Sequence, residues 1–549
     1  MIAEDFAKQQ RSISISEFFE KNRHLLGFDN KVKALLMIIK EGVDNSLDAT
    51  EEAGILPDIY VKVKELKPEV YEIIIKDNGP GVVKKQIPKI FGKLLYGSKF
   101  HKLKQSRGQQ GIGISAATLY SQLTTGEPLQ IVSSIGDGIL HKYRIKIDVR
   151  KNEPIIMDSG SEEGIQWRGV QLKFATEGIY REGKQSIPEY IKQTAISNPH
   201  ANIIFDSPKG RMEFIRVIDH LPKKPKEIQP HLKGVELGII LRMLRETKAR
   251  TLSNFFTSEF TKIGRTSAKE ICYRAGIEET KKPKKITDDE ARKIIAVVKG
   301  VKLLKPPTDC LSPLGIDVTK EGMRKELEPE WIDSITRPPE VYRGWPFQIE
   351  VGIAYGGKIE SPKVMRFANR VPLLYQAGDC AITKSVTGVE WKRYGLNGKG
   401  MPEDPVTIFV HMVSVWVPFT SESKEAIASY PIIIKEIKLA LQECARKLGL
   451  YLSGKRKLEY HKQRLNTFEK YSDETANAIS ELTNVKKESI KSIFTELIES
   501  KRDHPKEEEN GRGEAEEVGP PSVEPSSEEG ESYDRAARQV TLERLLRRE

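Results

Sequence analysis

The chain has 549 residues, enough for about three or four domains, and its formal net charge is +11. The four cysteines are widely separated and form no CxxC pair, which argues against a zinc site or a disulfide framework and favours a reducing, cytoplasmic setting: Cys272, Cys310, Cys380 and Cys444. No signal-peptide pattern opens the chain, and the longest apolar run, 406–419, is too short to span a membrane.

The charge is unevenly distributed along the chain. Residues 507–534 contain eleven acidic residues and one arginine, a net charge of −10, so the remaining residues carry +21. A body this basic favours a polyanionic partner. Lysine-rich surfaces also occur in other nucleotide-binding proteins, so the charge alone does not identify the partner.

The N-terminal part of the chain predicts a strap followed by a domain. Residues 1–20 alternate serine and isoleucine at 12–16 and form the predicted strap. The domain after it extends over 21–228 and ends at a proline-rich segment.

An amphipathic helix is predicted over residues 31–49. Its apolar positions fall on one side at 100° per residue, and Glu41, Asn45 and Asp48 fall on the opposite side. A solvated polar stripe is the simpler interpretation of this face. However, a glutamate can deprotonate a water molecule, and an asparagine oxygen suits Mg²⁺. We therefore predict that this face contacts a nucleotide.

A strand is predicted next, and it ends at an acidic turn. The β-branched run 71–76 leads directly into Asp77, which places a carboxylate where an adenine amino group can donate to it. Gly79 and Gly81 follow, and glycines allow the backbone to approach a flat ligand. Turns of this composition are common, so this motif is weak by itself.

The third motif is a glycine-rich loop before a predicted helix at 114–119. Backbone N–H groups in such a loop suit phosphate oxygens, whereas the simpler interpretation is a flexible surface loop. The preceding segment 96–99 is rich in small and polar residues and favours a mobile lid. The predicted nucleotide contacts of the lid and loop are Ser98, Lys99, Arg107, Gly108, Gln109, Gln110, Gly111, Ile112 and Gly113.

Together, the three motifs resemble the ATPase superfamily of DNA gyrase, the ninety-kilodalton heat-shock chaperone, histidine kinases and mismatch-repair ATPases. The resemblance implies a Bergerat-type ATPase α/β sandwich that uses ATP and Mg²⁺. It assigns Glu41 as the general base, Asn45 as the Mg²⁺ ligand, Asp77 as the adenine contact and 108–113 as the phosphate lid. Val170 stands where family members often have a threonine, so the sequence does not predict a side-chain hydroxyl near the adenine at this position.

Residues 229–306 change to a helical pattern, with helices predicted over 237–244 and 252–260. The short turn at 263–267 supplies hydroxyls to cap the next helix and an arginine that suits a phosphate. This segment resembles a helix–two-turns–helix module, and the alternative is a small helical spacer. With the flanking domains, it predicts an α+β multidomain protein.

Residues 307–470 combine predicted strands at 346–355 and 406–417 with predicted helices at 423–445 and 455–470. The pattern resembles the transducer α/β domain of the same ATPases, which implies a lysine that reaches the γ-phosphate of ATP. Lys392, flanked by aromatic residues, is the preferred candidate for a catalytic and ATP-binding role, and Lys399 is its competitor.

The C-terminal region divides into three predicted parts. Residues 471–502 form a helical segment for partner docking, with helices at 474–482 and 489–498, and 503–535 form a disordered acidic linker. Residues 536–549 contain Gln539–Leu546, which resembles a sliding-clamp-binding peptide, although a frayed tail is the simpler interpretation.

The domain order resembles the B-subunit family of DNA topoisomerase VI, a type IIB enzyme. The strings that carry this resemblance lie at 43–49, 198–201, 308–315 and 391–396. It implies an archaeal cytoplasmic ATPase that self-dimerises on ATP binding, captures double-stranded DNA and drives strand passage and supercoil relaxation. Cleavage would belong to a separate A subunit in an A2B2 heterotetramer. A chaperone-type ATPase and a non-hydrolysing DNA clamp are the alternatives.

Overall fold

The computed structural model describes residues 6–7, 12–98, 103–108, 111–304 and 306–503. They form two compact units, which divide between Lys457 and Leu458. Within the described residues, no helix is both long enough and apolar enough to cross a membrane. All four cysteines are buried as free thiols.

The first sheet has eight strands in the order β5-β4-β3-β6-β2-β1-β7-β8. All neighbouring pairs are antiparallel except β1 with β7, so the sheet is mixed. The strands are β1 (Asp58–Lys67), β2 (Val70–Asp77), β3 (Leu129–Ile135), β4 (Ile139–Asp148), β5 (Glu153–Glu163), β6 (Arg168–Glu177), β7 (Asn202–Ser207) and β8 (Gly210–Phe214).

Helices cover one face of this sheet and enclose a shared apolar core. They are α1 (Ile15–Lys21), α2 (Lys31–Ala53), α3 (Ile87–Gly92), α4 (Gly113–Thr125) and α5 (Ile187–Ser197). Helix α2 begins where the Asn30 side chain accepts a hydrogen bond from the Lys33 N–H, and it ends at the left-handed Gly54. A Cβ at Gly42 would lie 2.2 Å from Ile75 Cδ1, so glycine allows α2 to pack closely on β2.

A helical segment with its own core follows the first sheet. Its helices are α6 (Leu237–Glu246), α7 (Leu252–Glu259), α8 (Arg265–Ala275) and α9 (Asp288–Gly300). The predicted hydroxyl caps are wrong: α8 is capped by Gly264 without a side-chain hydrogen bond, and Thr266 and Ser267 lie inside its first turn.

The second sheet has the order β10-β11-β14-β12-β13, and β9 also pairs with β11. Its strands are β9 (Trp331–Thr336), β10 (Glu340–Tyr342), β11 (Trp345–Tyr355), β12 (Lys363–Ala368), β13 (Val371–Pro372) and β14 (Val406–Ser414). Strands β11 and β14 are almost entirely buried, since helices pack on this sheet. The helices are α10 (Ile316–Leu327), α11 (Ala381–Thr387) and α12 (Pro431–Thr483).

The bounds of two predicted helices in this region are wrong. Residues 423–430 are not helical, and 431–483 form one continuous helix where the sequence suggested a break between 445 and 455. The second unit contains the C-terminal part of α12 and helix α13 (Lys487–Asp503). There, Phe468 meets Phe494 edge to face at 5.9 Å. The predicted acidic linker beyond 503 and the Gln539–Leu546 motif lie outside the described residues.

Candidate active site

A cavity of about 580 Å³ opens beside α2, at the end of β2 and next to the start of α4. Apolar side chains, including Val82, Ile90 and Phe91, form one part of its lining. The polar part includes five residues predicted from the sequence and one that was not predicted: Glu41, Asn45, Asp77, Ser98, Gly113 and Lys424.

Glu41 lies against the N-terminus of α4. A Cβ built at Gly113 would fall 1.7 Å from Glu41 Oε2, so only glycine permits this approach. Lys40 Nζ is 3.7 Å from Glu41 Oε1 and 3.7 Å from Asp44 Oδ2. Burial acts to lower the pKa of Lys40, but these two carboxylates raise it above its ordinary value. A basic residue therefore adjoins the carboxylate that faces the cavity.

Asn45 lies one helical turn after Glu41 and is exposed to the same cavity. The Gly108 backbone crosses beside it, since a Cβ at Gly108 would lie 3.9 Å from Asn45 Oδ1. An amide oxygen is thus presented to the cavity next to a carboxylate. Within the described residues, no cluster of three or more metal-ligating His, Cys, Asp or Glu residues occurs.

Asp77 is held by three hydrogen bonds at the end of β2. Its Oδ1 accepts from the N–H groups of Gly79 at 2.9 Å and Val170 at 3.1 Å, and its Oδ2 accepts from Ser46 Oγ at 2.9 Å. Burial raises the pKa of Asp77. Val170 thus contributes its backbone N–H, and the hydroxyl that contacts Asp77 comes from Ser46, which was not predicted as a site residue although it follows Asn45 directly.

Gly79 and Gly81, which were predicted to allow a close approach of a ligand, are not among the residues that line the cavity. Gly81 has a φ of +73°, and a Cβ there would lie 2.1 Å from the Ser134 carbonyl oxygen. A Cβ at Gly79 would lie 2.9 Å from Asp77 Oδ1. These glycines thus serve the packing of the turn against β3 and the Asp77 carboxylate.

Asp48 and Arg107 were predicted as nucleotide contacts, but their side chains pair with protein groups and do not line the cavity. Arg107 Nη1 lies 2.9 Å from Asp48 Oδ1, and Arg107 Nη2 lies 2.7 Å from Glu51 Oε1. The Glu51 carboxylate also forms hydrogen bonds with Arg370 Nη1 at 3.2 Å and with His200 Nε2 at 2.9 Å. We call this group, which joins both sheets, the closed cluster: Asp48, Glu51, Arg107, Asn198, His200 and Arg370.

Burial and the charges within the closed cluster shift the pKa values of its residues. Burial acts to raise the pKa of Glu51, but the Arg107 and Arg370 guanidinium groups hold that pKa well below its usual range. Burial lowers the pKa of His200, so this imidazole is neutral and donates Nε2–H to Glu51. Glu51 is therefore the ionised centre of the cluster.

Lys424 enters the cavity from the loop after β14. Its Nζ donates to the Arg107 carbonyl oxygen at 3.1 Å, and burial lowers its pKa. Lys392, the preferred candidate from the sequence, and Lys399, its competitor, are both exposed and line no part of the cavity. The aromatic residue beside Lys392 serves the core: Trp391 is 2% exposed, and its Nε1 donates to the Val386 carbonyl.

The glycine loop is partly described. Gly108, Gly111, Ile112 and Gly113 line the cavity, as does Ser98. Lys99, Gln109 and Gln110, which were predicted as nucleotide contacts, lie outside the described residues.

Two family models match the chain. Residues 30–151 match the histidine kinase-, DNA gyrase B- and HSP90-like ATPase family, and residues 306–464 match the transducer of the topoisomerase VI B subunit. The first match covers α2, Asp77 and the glycine loop, and the second covers the second sheet and Lys424.

Proteins named as the B subunit of type 2 DNA topoisomerase 6 are similar over most of the chain. The one from Methanococcoides burtonii is 49% identical over 474 residues, which are 84% of this chain and 76% of that protein. The one from Archaeoglobus fulgidus is 48% identical over 454 residues, or 81% and 75% of the two chains. The one from Pyrococcus horikoshii is 40% identical over 548 residues, or 91% and 97%.

Proposed function

We infer the function of this chain from its kinship: it belongs to the B-subunit family of type 2 DNA topoisomerase 6. It is an ATP-binding and ATP-hydrolysing subunit of a type II DNA topoisomerase, an isomerase of DNA topology. Its first sheet belongs to the ATPase fold and its second sheet to the transducer.

We propose that Glu41 is the general base of ATP hydrolysis. The observation that carries this proposal is its position: the carboxylate faces the cavity at the N-terminus of α4, beside the glycine loop. N–H groups at a helix N-terminus suit phosphate oxygens, and a carboxylate beside them can accept a proton from an attacking water.

We propose that Asp77 accepts a hydrogen bond from the adenine amino group. The Ser46 hydroxyl and two backbone N–H groups fix the Asp77 carboxylate in the cavity wall. The apolar lining around it, which includes Ile90 and Phe91, suits a flat aromatic base.

We propose that Asn45 holds Mg²⁺. Its amide oxygen is exposed to the cavity one turn from Glu41, and this donor set fits an ion that takes most of its ligands from phosphate and water. When bound, the ion neutralises phosphate charge. The chain itself positions the water through Glu41 and the triphosphate through the loop N–H groups.

We propose that Lys424, and not Lys392, contacts the γ-phosphate. Its ammonium lies within the cavity lining, and burial strengthens its interaction with charge that develops on the departing phosphate. Because Lys424 belongs to the transducer and Glu41 to the ATPase domain, the phosphate links the two domains directly.

We propose that the partners are double-stranded DNA, a second copy of this chain and a topoisomerase VI A subunit, in an A2B2 heterotetramer. The relatives are named as subunits of a DNA topoisomerase, and the basic body suits DNA phosphates. ATP binding would close the homodimer on DNA, and the A subunit would cleave it. The relatives come from archaea, so we place this protein in an archaeal cytoplasm.

Supercoiled plasmid tests this function. We expect the full chain, mixed with an A subunit, ATP and Mg²⁺, to relax the plasmid, and we expect no relaxation without ATP. Long duplex DNA should also stimulate ATP hydrolysis. Relaxation that needs no ATP, or ATP turnover that ignores DNA, would contradict the proposal and favour a chaperone-type ATPase.

The Lys424→Ala variant tests the lysine assignment. We expect ATP to bind while hydrolysis slows at least about tenfold, since a charge on the departing phosphate loses its partner. Unchanged hydrolysis would remove Lys424 from the mechanism.

A further inference from the structure

A buried ion pair anchors the loop that carries Lys424. Lys33 of α2 and Glu425 of the loop form this pair, and the two residues are only 7% and 4% exposed. Lys33 belongs to the ATPase domain and Glu425 to the transducer, so the pair crosses between the two sheets. A buried pair of this kind costs desolvation and is weak evidence for a role in stability alone.

Lys33 is well placed to hold this loop. It lies two helical turns before Glu41, on the same helix that presents Glu41 and Asn45 to the cavity. Its ammonium also contacts Asp29 Oδ1 at 2.9 Å and lies 5.4 Å from the centre of the Tyr375 ring, which belongs to the transducer. The same helix therefore positions the carboxylate of the hydrolysis site and the anchor of the lysine loop.

Lys424 needs an anchor because its backbone is strained. Its φ is +54°, a left-handed conformation that a lysine rarely adopts. The turn around it is closed by the Lys424 N–H to the Ser421 carbonyl at 3.1 Å and by the Thr420 N–H to the Ala426 carbonyl at 2.9 Å. Both hydrogen bonds lie within the loop, so neither fixes the loop to α2. The Lys33–Glu425 ion pair fixes the loop to α2, at the residue next to Lys424.

We propose that Lys33 and Glu425 are positioning residues that hold Lys424 in the nucleotide cavity. The pair keeps the strained turn against α2, and when it breaks, the turn relaxes and Lys424 withdraws from the phosphate. The pair is thus the latch between the ATPase domain and the transducer. This inference rests on the proposed role of Lys424 in ATP hydrolysis.

The Glu425→Gln variant removes the pair with little loss of shape. Asp29 remains as a partner for Lys33, so no isolated buried charge is left on α2. We expect ATP turnover by the full chain, measured with the A subunit and plasmid DNA, to fall about tenfold in kcat while the KM for ATP changes less than about threefold, because only a group that acts during hydrolysis is displaced. The matched control is Glu328→Gln, which removes an exposed transducer pair with Lys358 and should leave kcat unchanged.

A double-mutant cycle separates positioning from general damage to the fold. In the Lys424→Ala background, Glu425→Gln should slow hydrolysis no further, since the residue it positions is gone. An undiminished tenfold loss in that background would overturn the latch and assign Glu425 a structural role.

The same cycle distinguishes this inference from the proposed function. Unchanged ATP hydrolysis in Lys424→Ala would overturn the role of Lys424 itself. Slow hydrolysis in Lys424→Ala together with normal hydrolysis in Glu425→Gln would overturn the latch alone. If Glu425→Gln fails to fold, Lys33→Gln and Lys33→Arg replace it. We then expect about tenfold slower hydrolysis for the first and near-normal hydrolysis for the second, which keeps the charge; equal rates would overturn the proposal.

Discussion

The cavity beside α2 and the closed cluster lie side by side along one helix, and both contain acidic residues of α2. Glu41 faces the cavity, with Lys40 Nζ 3.7 Å away. Glu51 is enclosed by two arginines and a histidine at hydrogen-bonding distances. The comparison shows that residue type does not decide the role. A carboxylate that faces a cavity is available to act on a bound ligand. A carboxylate that is paired with protein cations from two domains can hold those domains together.

Helix geometry explains how one polar stripe serves both regions. Asp48 follows Glu41 on nearly the same face, but at about 1.5 Å per residue it lies roughly 10 Å further along the axis. That distance moves it from the cavity to the Arg107 guanidinium. Glu51 is rotated further around the helix and meets Arg370 of the transducer.

The largest effect is expected from Glu51→Gln. Removing the shared carboxylate leaves two buried guanidinium groups without their common partner, and we expect the free energy of unfolding to fall by about 3–5 kcal/mol. Urea unfolding followed by tryptophan fluorescence measures this. The control is Glu52→Gln, whose more exposed pair with Lys104 predicts a loss of about 1 kcal/mol or less. Equal losses in the two variants would contradict the comparison.

The second-largest effect is expected on the rate of ATP hydrolysis and not on stability. We expect Glu41→Gln to slow ATP hydrolysis by about 10²-fold or more, because an amide cannot accept the proton from water. ATP binding, followed by titration, should persist. Phosphate release measures the rate, with Glu52→Gln again as the control on the same helix. Normal turnover would exclude Glu41 as the base.

A smaller effect is expected on the stability of the folded chain at acidic pH. Burial lowers the pKa of His200 and His411 in the folded chain below their ordinary value of 6.5, so the unfolded chain binds more protons below that pH. Stability should therefore fall as the pH drops below about 6.5. The pKa of Glu51 is also lowered in the folded state, so its contribution is present above its ordinary value of 4.5 and is lost below that pH.

Thermal unfolding across this pH range tests both steps. The His200→Gln variant should reduce the loss between about pH 6.5 and 5, because Gln cannot take up a proton there. A pH profile identical to that of the unaltered chain would show that His200 does not contribute.

The smallest effect is expected from Lys392→Ala. Its side chain is exposed and lies outside the cavity lining, so ATP hydrolysis should stay within about twofold of that of the unaltered chain. A loss equal to that of Lys424→Ala would restore Lys392 as the γ-phosphate lysine. Phosphate release without DNA isolates this comparison from any contact that Lys392 makes with DNA.

Local patterns predicted much of the fold and part of the site. The apolar period of 31–49 predicted α2, because one face packs on β2. Glu41, Asn45 and Asp77, which line the cavity, could be singled out because each lies in a short local motif. Lys424 could not be found in this way. It reaches the cavity through the packing of a distant domain, and no spacing in the sequence records that contact.

Two further differences between the predictions and the structure also arise from contacts between residues that are distant in the chain. Arg107 adjoins a glycine loop, which predicted a phosphate contact, but its partners at 48, 51 and 198 are distant in the chain and pair with both of its terminal nitrogens, Nη1 and Nη2. Separate helices were predicted at 423–445 and 455–470, yet α12 continues between them. A Cβ at Gly449 would lie 3.3 Å from the Tyr394 carbonyl oxygen, so this glycine allows close packing and does not end the helix.

The four buried thiols have a practical consequence for measuring domain motion. Burial raises the pKa of Cys272 to about 11 and those of Cys310 and Cys444 to about 12, so these groups are protonated and shielded at neutral pH. Cys380 is also fully buried. A pair of cysteines introduced on the surfaces of the two domains would therefore accept fluorescent dyes selectively, and energy transfer between the dyes would report the distance between domains during each catalytic cycle without removal of any native thiol.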